Sequence, residues 1–322
     1  MMKTLVISNK SDVTSDFIVK KLKERGIGFY RFNTEDLTKT CSLILNFSLK
    51  TFCLKDLITG NTYDLKAFKS VYFRRPEITS FEDLKINRAE KLFSKYEFAY
   101  SLEGIYKILK HAFWISPVYA IREAENKIYQ LELAQSIGFN IPNTIITDSY
   151  EDFKQFYHQN QNDCVIKPIK SGHIEDGKRS KVVFTSILKD RPVFKKRFGI
   201  LPNLIQSQIH KQGDIRVTVV GEKAFPTLIH SQENPETLVD WRRGEKILEH
   251  TKINLPSNIL DKCINLTKRL NLKFGAIDLI LDRHGEYIFL EINPNGQWAW
   301  IEKQTGYQIS DEITNLLEYE TN

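Results

Sequence analysis

The sequence predicts an α/β protein in three units, residues 1–116, 117–205 and 206–322. Two observations carry this. The chain opens with a strand–helix–strand order, TLVIS, then DVTSDFIVKKLKERG, then IGFYRFN, as a parallel, Rossmann-like sheet requires. It later runs into short apolar strands broken by turn residues, ending in AIDLIL and EYIFLEIN around Asp282–Gly285. A chain of 322 residues has room for a large buried core.

In the first unit the helix ends at Gly26. The glycine-rich dinucleotide fingerprint is missing after the first strand, where Asn9-Lys10-Ser11-Asp12 stands instead. SLILNFSL and LKAFKSVYFRR read as further strands. Arg74 and Arg75 end the latter, before Pro76. Adjacent arginines there suit a carboxylate or phosphate, and equally suit solvated strand-end charges. Residues 80–113 read as helical with mixed charge and show no catalytic pattern.

The second unit starts with a helical stretch ending at Gly138. Lys127 falls in a first turn, where the helix dipole prefers acids; it is either an exposed lysine or one aimed at an anion. Then come the strand NTIITDS, the helix YEDFKQFYHQ and the segment CVIKPIKSGHIEDGKRSKVVFTSI. Gly172 to Lys178 matches most of a P-loop, but Arg179 replaces the required Ser or Thr and KVVFTSI is β-like. A P-loop needs a helix N-terminus at that point. The stretch is therefore expected to be a loop between antiparallel strands, with Lys178 able to cover phosphates and Lys167, at the end of CVIKP, beneath it.

In the third unit, Lys211-Gln212-Gly213 reads as a turn between strands. Arg216 and Thr218 share a face of DIRVTVV, and an arginine in so apolar a strand is expected to face a site. The C-terminal hairpin carries the clearest chemistry. Glu291 and Asn293, two apart, share a face. A two-residue loop at His284-Gly285 sets Asp278 opposite Glu291, and a loop at Arg283-His284 makes them diagonal neighbours. A loop of odd length needs a bulge to restore the match. Two acids converging in an apolar hairpin repel and are costly to desolvate. Neither strand core contains Lys or Arg, so a divalent cation is expected between them, and an all-oxygen set suits Mg²⁺. For one acid alone, a solvated strand edge is the simpler reading.

Composition narrows the class. Hydrophobic residues make up 41% and charged residues 27%, ordinary for a globular chain. The net charge of +6 favours an anionic substrate such as a nucleotide phosphate or an acidic peptide. No basic run is interleaved with aromatics, so nucleic acid is not expected. Cys41, Cys53, Cys164 and Cys263 are scattered and imply neither zinc nor disulfides. No signal peptide or apolar span is visible, and a cytoplasmic location is the default.

Lys127 on its helix, IKP before a glycine loop, IRV in a strand, AIDLIL, and LEINPNGQW resemble the ATP-grasp superfamily in matching order, over residues 117–310. Residues 5–37, YFRRPE, DWRRGE and LEINPNGQWAWIEKQTG are similar to microviridin-type ATP-grasp peptide maturases, the graspetide ligases. The resemblance implies an ATP-grasp fold with an N-terminal Rossmann-like (pre-ATP-grasp) α/β domain, ATP and Mg²⁺ as cofactors, and a precursor peptide with a leader and an acidic, Thr-rich core as partner. It further implies phosphorylation of Asp or Glu side chains, followed by attack of a Thr or Ser hydroxyl or a Lys amine, giving ω-ester or ω-amide rings.

On that resemblance, Lys127 and Lys167 contact the ATP phosphates beneath the Gly172–Lys178 lid. Gln206, Ser207, Gln208, Ile209 and Asp214 lie near adenine and ribose. Asp278, Glu291 and Asn293 hold Mg²⁺, and Arg216 neutralises the transferred phosphoryl group. Arg74, Asp240 and Arg242 recognise the peptide. The sequence departs from the family at QSQI, where relatives often carry glutamate at or near Ser207. Trp298 and Trp300 are expected to pack beneath the site. Pairing into a homodimer through the N-terminal unit is left open. Two alternatives remain: an ATP-grasp carboxylate–amine ligase acting on a small molecule or protein tail, and a non-catalytic module that binds acidic peptides.

Overall fold

A computed structural model describes residues 3–170, 172–176, 179–188, 198–244 and 248–319. The opening strands form a four-stranded parallel sheet, in the order Phe29–Asn33, Thr4–Ser8, Ser70–Phe73, Phe113–Ile115. Thr4 is in register with both Phe29 and Ser70. The helix Val13–Glu24 follows the first strand, and its inner residues Ile18 and Leu22 are fully buried. Gly26 then takes the left-handed backbone (φ 66°) that a residue without Cβ adopts freely.

SLILNFSL does not join this sheet. Cys41–Asn46, Thr51–Asp56 and Thr62–Asp64 form a separate antiparallel three-stranded sheet. The expected helical region contains one long helix, Arg88–Ile108, started by an Asn87/Glu90 capping box.

The middle of the chain forms a four-stranded antiparallel sheet, ordered Ser186–Ile187, Cys164–Lys167, Asn203–Ser207, Thr144–Thr147. His173–Asp176 pairs with Arg179–Val182 as a separate antiparallel hairpin. The P-loop near-match is thus β-structure where the phosphate-binding helix would have to start; Lys178 itself lies outside the described residues. Gly172 is required by close packing, because a Cβ there would overlap the Val183 carbonyl.

The third sheet is antiparallel and five-stranded, ordered His250–Lys252, Lys223–Ile229, Lys211–Val220, Phe274–Asp282, Tyr287–Asn293. The helix Ser257–Arg269 buries Ile259, Cys263 and Leu266, one stripe at helical spacing. The stretch after Pro117 is two helices, Val118–Ala124 and Lys127–Ile137. The second of these hydrogen-bonds the edge strand of the third sheet through Gln130, although its sequence precedes the middle sheet. The last helix, Ile309–Tyr319, packs Ile309, Ile313 and Leu317 with Ile18 and Leu22 of the first unit. Lys21 and Arg25 both reach Asp311 at 2.9 Å, tying the chain's two ends together. Among the described residues, no helix is long and apolar enough to cross a membrane.

Candidate active site

The site is built on the C-terminal hairpin. Asp282 N–H donates to the Glu286 carbonyl at 3.0 Å, and Gly285 between them has φ 85°. The intervening loop is 283–285, an odd length. Leu281 pairs with Tyr287 and Leu279 with Phe289, after which the register shifts and Asp278 faces Glu291. Leu290 is the extra residue. Of the loop geometries the sequence allowed, the bulged one is observed.

The two acids do not wait for a metal to balance them. Arg216 is the cross-strand partner of Asp278 on the adjacent strand. Its Nε and Nη2 donate to Asp278 Oδ1 and Oδ2 at 2.6 and 3.1 Å. Lys127 Nζ lies 3.0 Å from Glu291 Oε2, and Arg242 Nη1 lies 3.6 Å from Oε1. The premise that the acids lack basic partners is corrected: the hairpin has no Lys or Arg of its own, but its neighbours in space supply them. Burial keeps the Asp278 carboxyl above its usual range despite Arg216. Burial also pushes Glu291 up, but Lys127, Arg242 and Lys167 together outweigh it and hold it low.

A hard divalent cation still fits this donor set. The oxygens of Glu291 are partly open, Asn293 is exposed, and each Asp278 oxygen keeps a second lone pair. Two carboxylates and an amide oxygen are what Mg²⁺ takes when phosphates and water complete its shell. Among the described residues no cluster of three or more His, Cys, Asp or Glu side chains could hold a metal by itself.

Lys127 opens its helix after Asn126, whose side chain accepts from Ile128 N–H at 3.0 Å. The lysine is turned inward and also donates to the Pro168 carbonyl at 3.2 Å. Lys167 is different. Among the described residues its ammonium has no hydrogen bond or ion pair, and burial lowers its pKa to about 8. A desolvated cation without a partner is a strong place for an anion.

Two cavities meet at this point. A narrow cleft is lined by Lys167, Gln206–Ile209, Asp214 and Ile280, together with Lys127, Trp241, Arg242 and Glu291. The same four residues also line a wide cavity of about 610 Å³ that holds Arg216, Asn293, Lys170 and Arg75. In the cleft, Asp214 is buried and pairs with Lys211 at 2.6 Å. Lys211 is thus the first residue of a buried strand, not a turn residue, and sequence reading missed it. Gln206 donates to the Thr144 hydroxyl at 3.0 Å, while Ser207 and Gln208 N–H groups donate to Asn143 and Asp163 carbonyls.

The residues expected to bind peptide separate. Asp240 is 4% exposed and accepts from Thr185 N–H and bidentately from Arg242, at 3.1, 2.9 and 2.8 Å. Burial pushes Asp240 up, but these donors hold it at about 2. It braces Arg242 and offers no free face to a peptide, whereas Arg242 stands where the cavities join. Arg74 needs a full correction. It is 2% exposed, pairs with Asp12 at 3.1 Å, and donates to the Asn295 and Gly296 carbonyls at 3.3 and 2.9 Å. It clasps the first unit to the Asn-Pro-Asn-Gly turn. Trp298 is buried as expected; Trp300 packs on His250 and lines the wide cavity.

Gln130 was also missed. Its side chain accepts from Ile292 N–H at 3.0 Å and donates to the Ile292 carbonyl at 2.9 Å, fixing the strand between Glu291 and Asn293. The only sequence signal was a polar residue beside Leu131 on an otherwise apolar helix face.

Residues 124–317 match the family model of the RimK-like ATP-grasp domain. The chain belongs to that family. Residues 3–122 match the MvdD pre-ATP grasp domain. A RiPP-associated ATP-grasp ligase from Chryseobacterium gregarium, solved with ADP and a leader and core peptide, aligns with TM-score 0.87 and 25% identity over 98% of this chain and 96% of that one. The macrocyclase MdnC from Microcystis aeruginosa, bound to the precursor peptide MdnA, aligns with TM-score 0.86 and 26% identity over 98% and 99%. A probable alpha-L-glutamate ligase 2 of Shewanella denitrificans is 24% identical over 62% of this chain and 65% of its own length. The ATP-grasp fold, with a pre-ATP-grasp domain ahead of it, is therefore established for this chain, while against its curated relatives the match spans 65–66% of their length.

Proposed function

We propose that the chain is an ATP-dependent macrocyclase of a ribosomally made precursor peptide. The observation that carries this reading is the junction of the two cavities at Lys127, Trp241, Arg242 and Glu291. One cavity suits a nucleotide and the other an extended acidic substrate, with cations where they meet. The likeness to two ligases solved with peptide supports it.

In the reaction, a side-chain carboxylate of the peptide attacks the γ-phosphorus of ATP and ADP leaves. A Thr or Ser hydroxyl or a Lys amine of the same peptide attacks the acyl carbon. Phosphate departs with the bonding pair and the nucleophile loses its proton, so each ring removes one water. Such chemistry needs positioning and charge stabilisation more than covalent help. In this proposal Lys127 and Lys167 bind phosphates, with the Gly172–Lys178 stretch as the lid. Gln206–Ile209 and Asp214 border the base and ribose, Arg216 meets the charge on the moving phosphoryl group, and Arg242 orients the carboxylate. Mg²⁺ held by Asp278, Glu291 and Asn293 supplies neutralisation of the phosphates. The cleft, at about 60 Å³, is smaller than the ~300–1,000 Å³ of typical ligand sites, so nucleotide entry requires its walls to part.

We further assign the chain to the cytoplasm. The division into residues 1–116, 117–205 and 206–322 remains part of the proposal.

The test is incubation with ATP, Mg²⁺ and a synthetic leader-bearing peptide rich in Thr and Glu. The expected result is ADP release and loss of one water per bond, abolished by Glu291→Gln. Near-wild-type turnover in Glu291→Gln or Asp278→Ala would refute the metal assignment. The curated glutamate ligases favour a second reading, addition of a free amino acid to an acceptor. That activity gives a mass gain with free glutamate instead of a loss.

A further inference from the structure

The parallel sheet of the first unit has a topological switch point. From Thr4–Ser8 the chain crosses through Val13–Glu24 to Phe29–Asn33 on one side. From Ser70–Phe73 it crosses through Arg88–Ile108 to Phe113–Ile115 on the other. The loops leaving these two central strands therefore diverge and leave a crevice at their C-terminal ends, the usual ligand position in an open α/β sheet. A cavity of about 350 Å³ lies there, lined by Asn9, Ser11, Asp12, Arg75, Glu77 and Gln297. Arg75 and Gln297 also line the wide cavity beside Glu291, so the two are contiguous.

The polar groups of the crevice are asymmetric. Asp12 is spent on Arg74, Ser8 and Ser15. Arg216, Lys127 and Arg242, which also line the wide cavity, are each paired with an acid. Arg75 is exposed, and among the described residues its guanidinium has no hydrogen bond or ion pair, although Glu77 lines the same crevice. Although the side chain is open to solvent overall, partial desolvation and the neighbouring Arg74 lower its pKa against the opposing pull of Asp12, and a bound anion would favour the charge. Its backbone is in the left-handed region (φ 45°), uncommon for a side-chain-bearing residue, and is held there by Asn9 Nδ2 donating to the Arg75 carbonyl at 2.6 Å. Gln297 accepts from the Thr14 hydroxyl through Oε1, which leaves its Nε2 without a partner among the described residues. Two free donors thus border one crevice.

We infer that the switch-point crevice is a carboxylate subsite, in which Arg75, assisted by Gln297, holds an acidic side chain of the peptide. This rests on the macrocyclase reading and adds to it a specificity-determining residue in the first unit. The resulting hydrogen bonds are charge-assisted and favour carboxylate over the isosteric amide.

The test uses two fluorescein-labelled Thr-rich peptides, one bearing glutamates and one with glutamine at each of those positions, with binding read by anisotropy in the presence of ADP. Wild type is expected to prefer the glutamate peptide by about tenfold, and Arg75→Ala to lose most of that preference. Arg75→Gly removes the side chain while suiting the left-handed backbone, so it guards against a folding artefact and is expected to behave alike. ADP affinity should stay unchanged in both, because Arg75 does not line the narrow cleft. Preserved preference in either variant, no preference in the wild type, or an equal loss of ADP binding would overturn the subsite. Ring formation is measured separately, so failure of the macrocyclase reading shows as absent mass loss while the glutamate preference remains.

Discussion

Arg216 and Asp278 face each other across neighbouring antiparallel strands and close two hydrogen bonds, with side chains only 7% and 10% exposed. Each fixes the rotamer of the other at the junction of the sheet and the wide cavity. Gly296 packs against this pair: a Cβ there would come within 3.2 Å of Arg216 Nη1.

Removing Arg216 strands a buried carboxylate. Arg216→Ala should destabilise the fold by about 3–5 kcal/mol, as breaking a buried pair does. It should also lower kcat by about 10²–10³-fold, the worth of one well-placed donor. Urea unfolding of Arg216→Ala and of the Arg216→Ala/Asp278→Asn double variant separates these effects. The double variant should recover stability without recovering turnover.

Lys167 makes nucleotide affinity depend on pH. Its pKa, lowered to about 8 by burial, rises when phosphate binds. The favourable charge is fully present below pH 8 and is lost as pH climbs above it, so ATP affinity should fall by up to tenfold per unit beyond that point. Lys167→Arg should flatten the profile. In the absence of ligand the sign reverses: the unfolded lysine binds the proton more tightly, so stability rises between about pH 8 and 10.5. Calorimetric titration and melting curves across that range check both.

Gln130→Leu should leave Ile292 N–H and C=O without their side-chain partner, costing about 1–3 kcal/mol per buried orphan. Because the strand between Glu291 and Asn293 loses its clamp, the Mg²⁺ concentration for half-maximal turnover should rise. Equal Mg²⁺ dependence in wild type and variant would show that the clamp supports stability alone.

Arg74→Ala and Arg75→Ala should diverge despite adjacency. The first breaks a buried pair with Asp12 and should lower Tm strongly, consistent with about 3–5 kcal/mol. The second should leave Tm nearly unchanged and raise KM for the peptide. Thermal melts beside steady-state kinetics distinguish them.

What depends on spacing along one element can be read from the chain alone. The period-two placement of Glu291 and Asn293, the β–α–β opening, the helix stop at Gly138 and the β-character after Lys178 are all local, and each is observed where the structure describes it. Which charge meets which is set by how distant elements pack together. Arg216, Lys127 and Arg242 come from three elements that register and packing bring to one hairpin, so no window of sequence contains the balance. The same holds for the two arginines before Pro76. Both follow the strand Ser70–Phe73, and Arg75 leaves it with a left-handed backbone, but only the docking of residues 293–297 against the first sheet decides that Arg74 becomes a buried clasp while Arg75 keeps a free guanidinium.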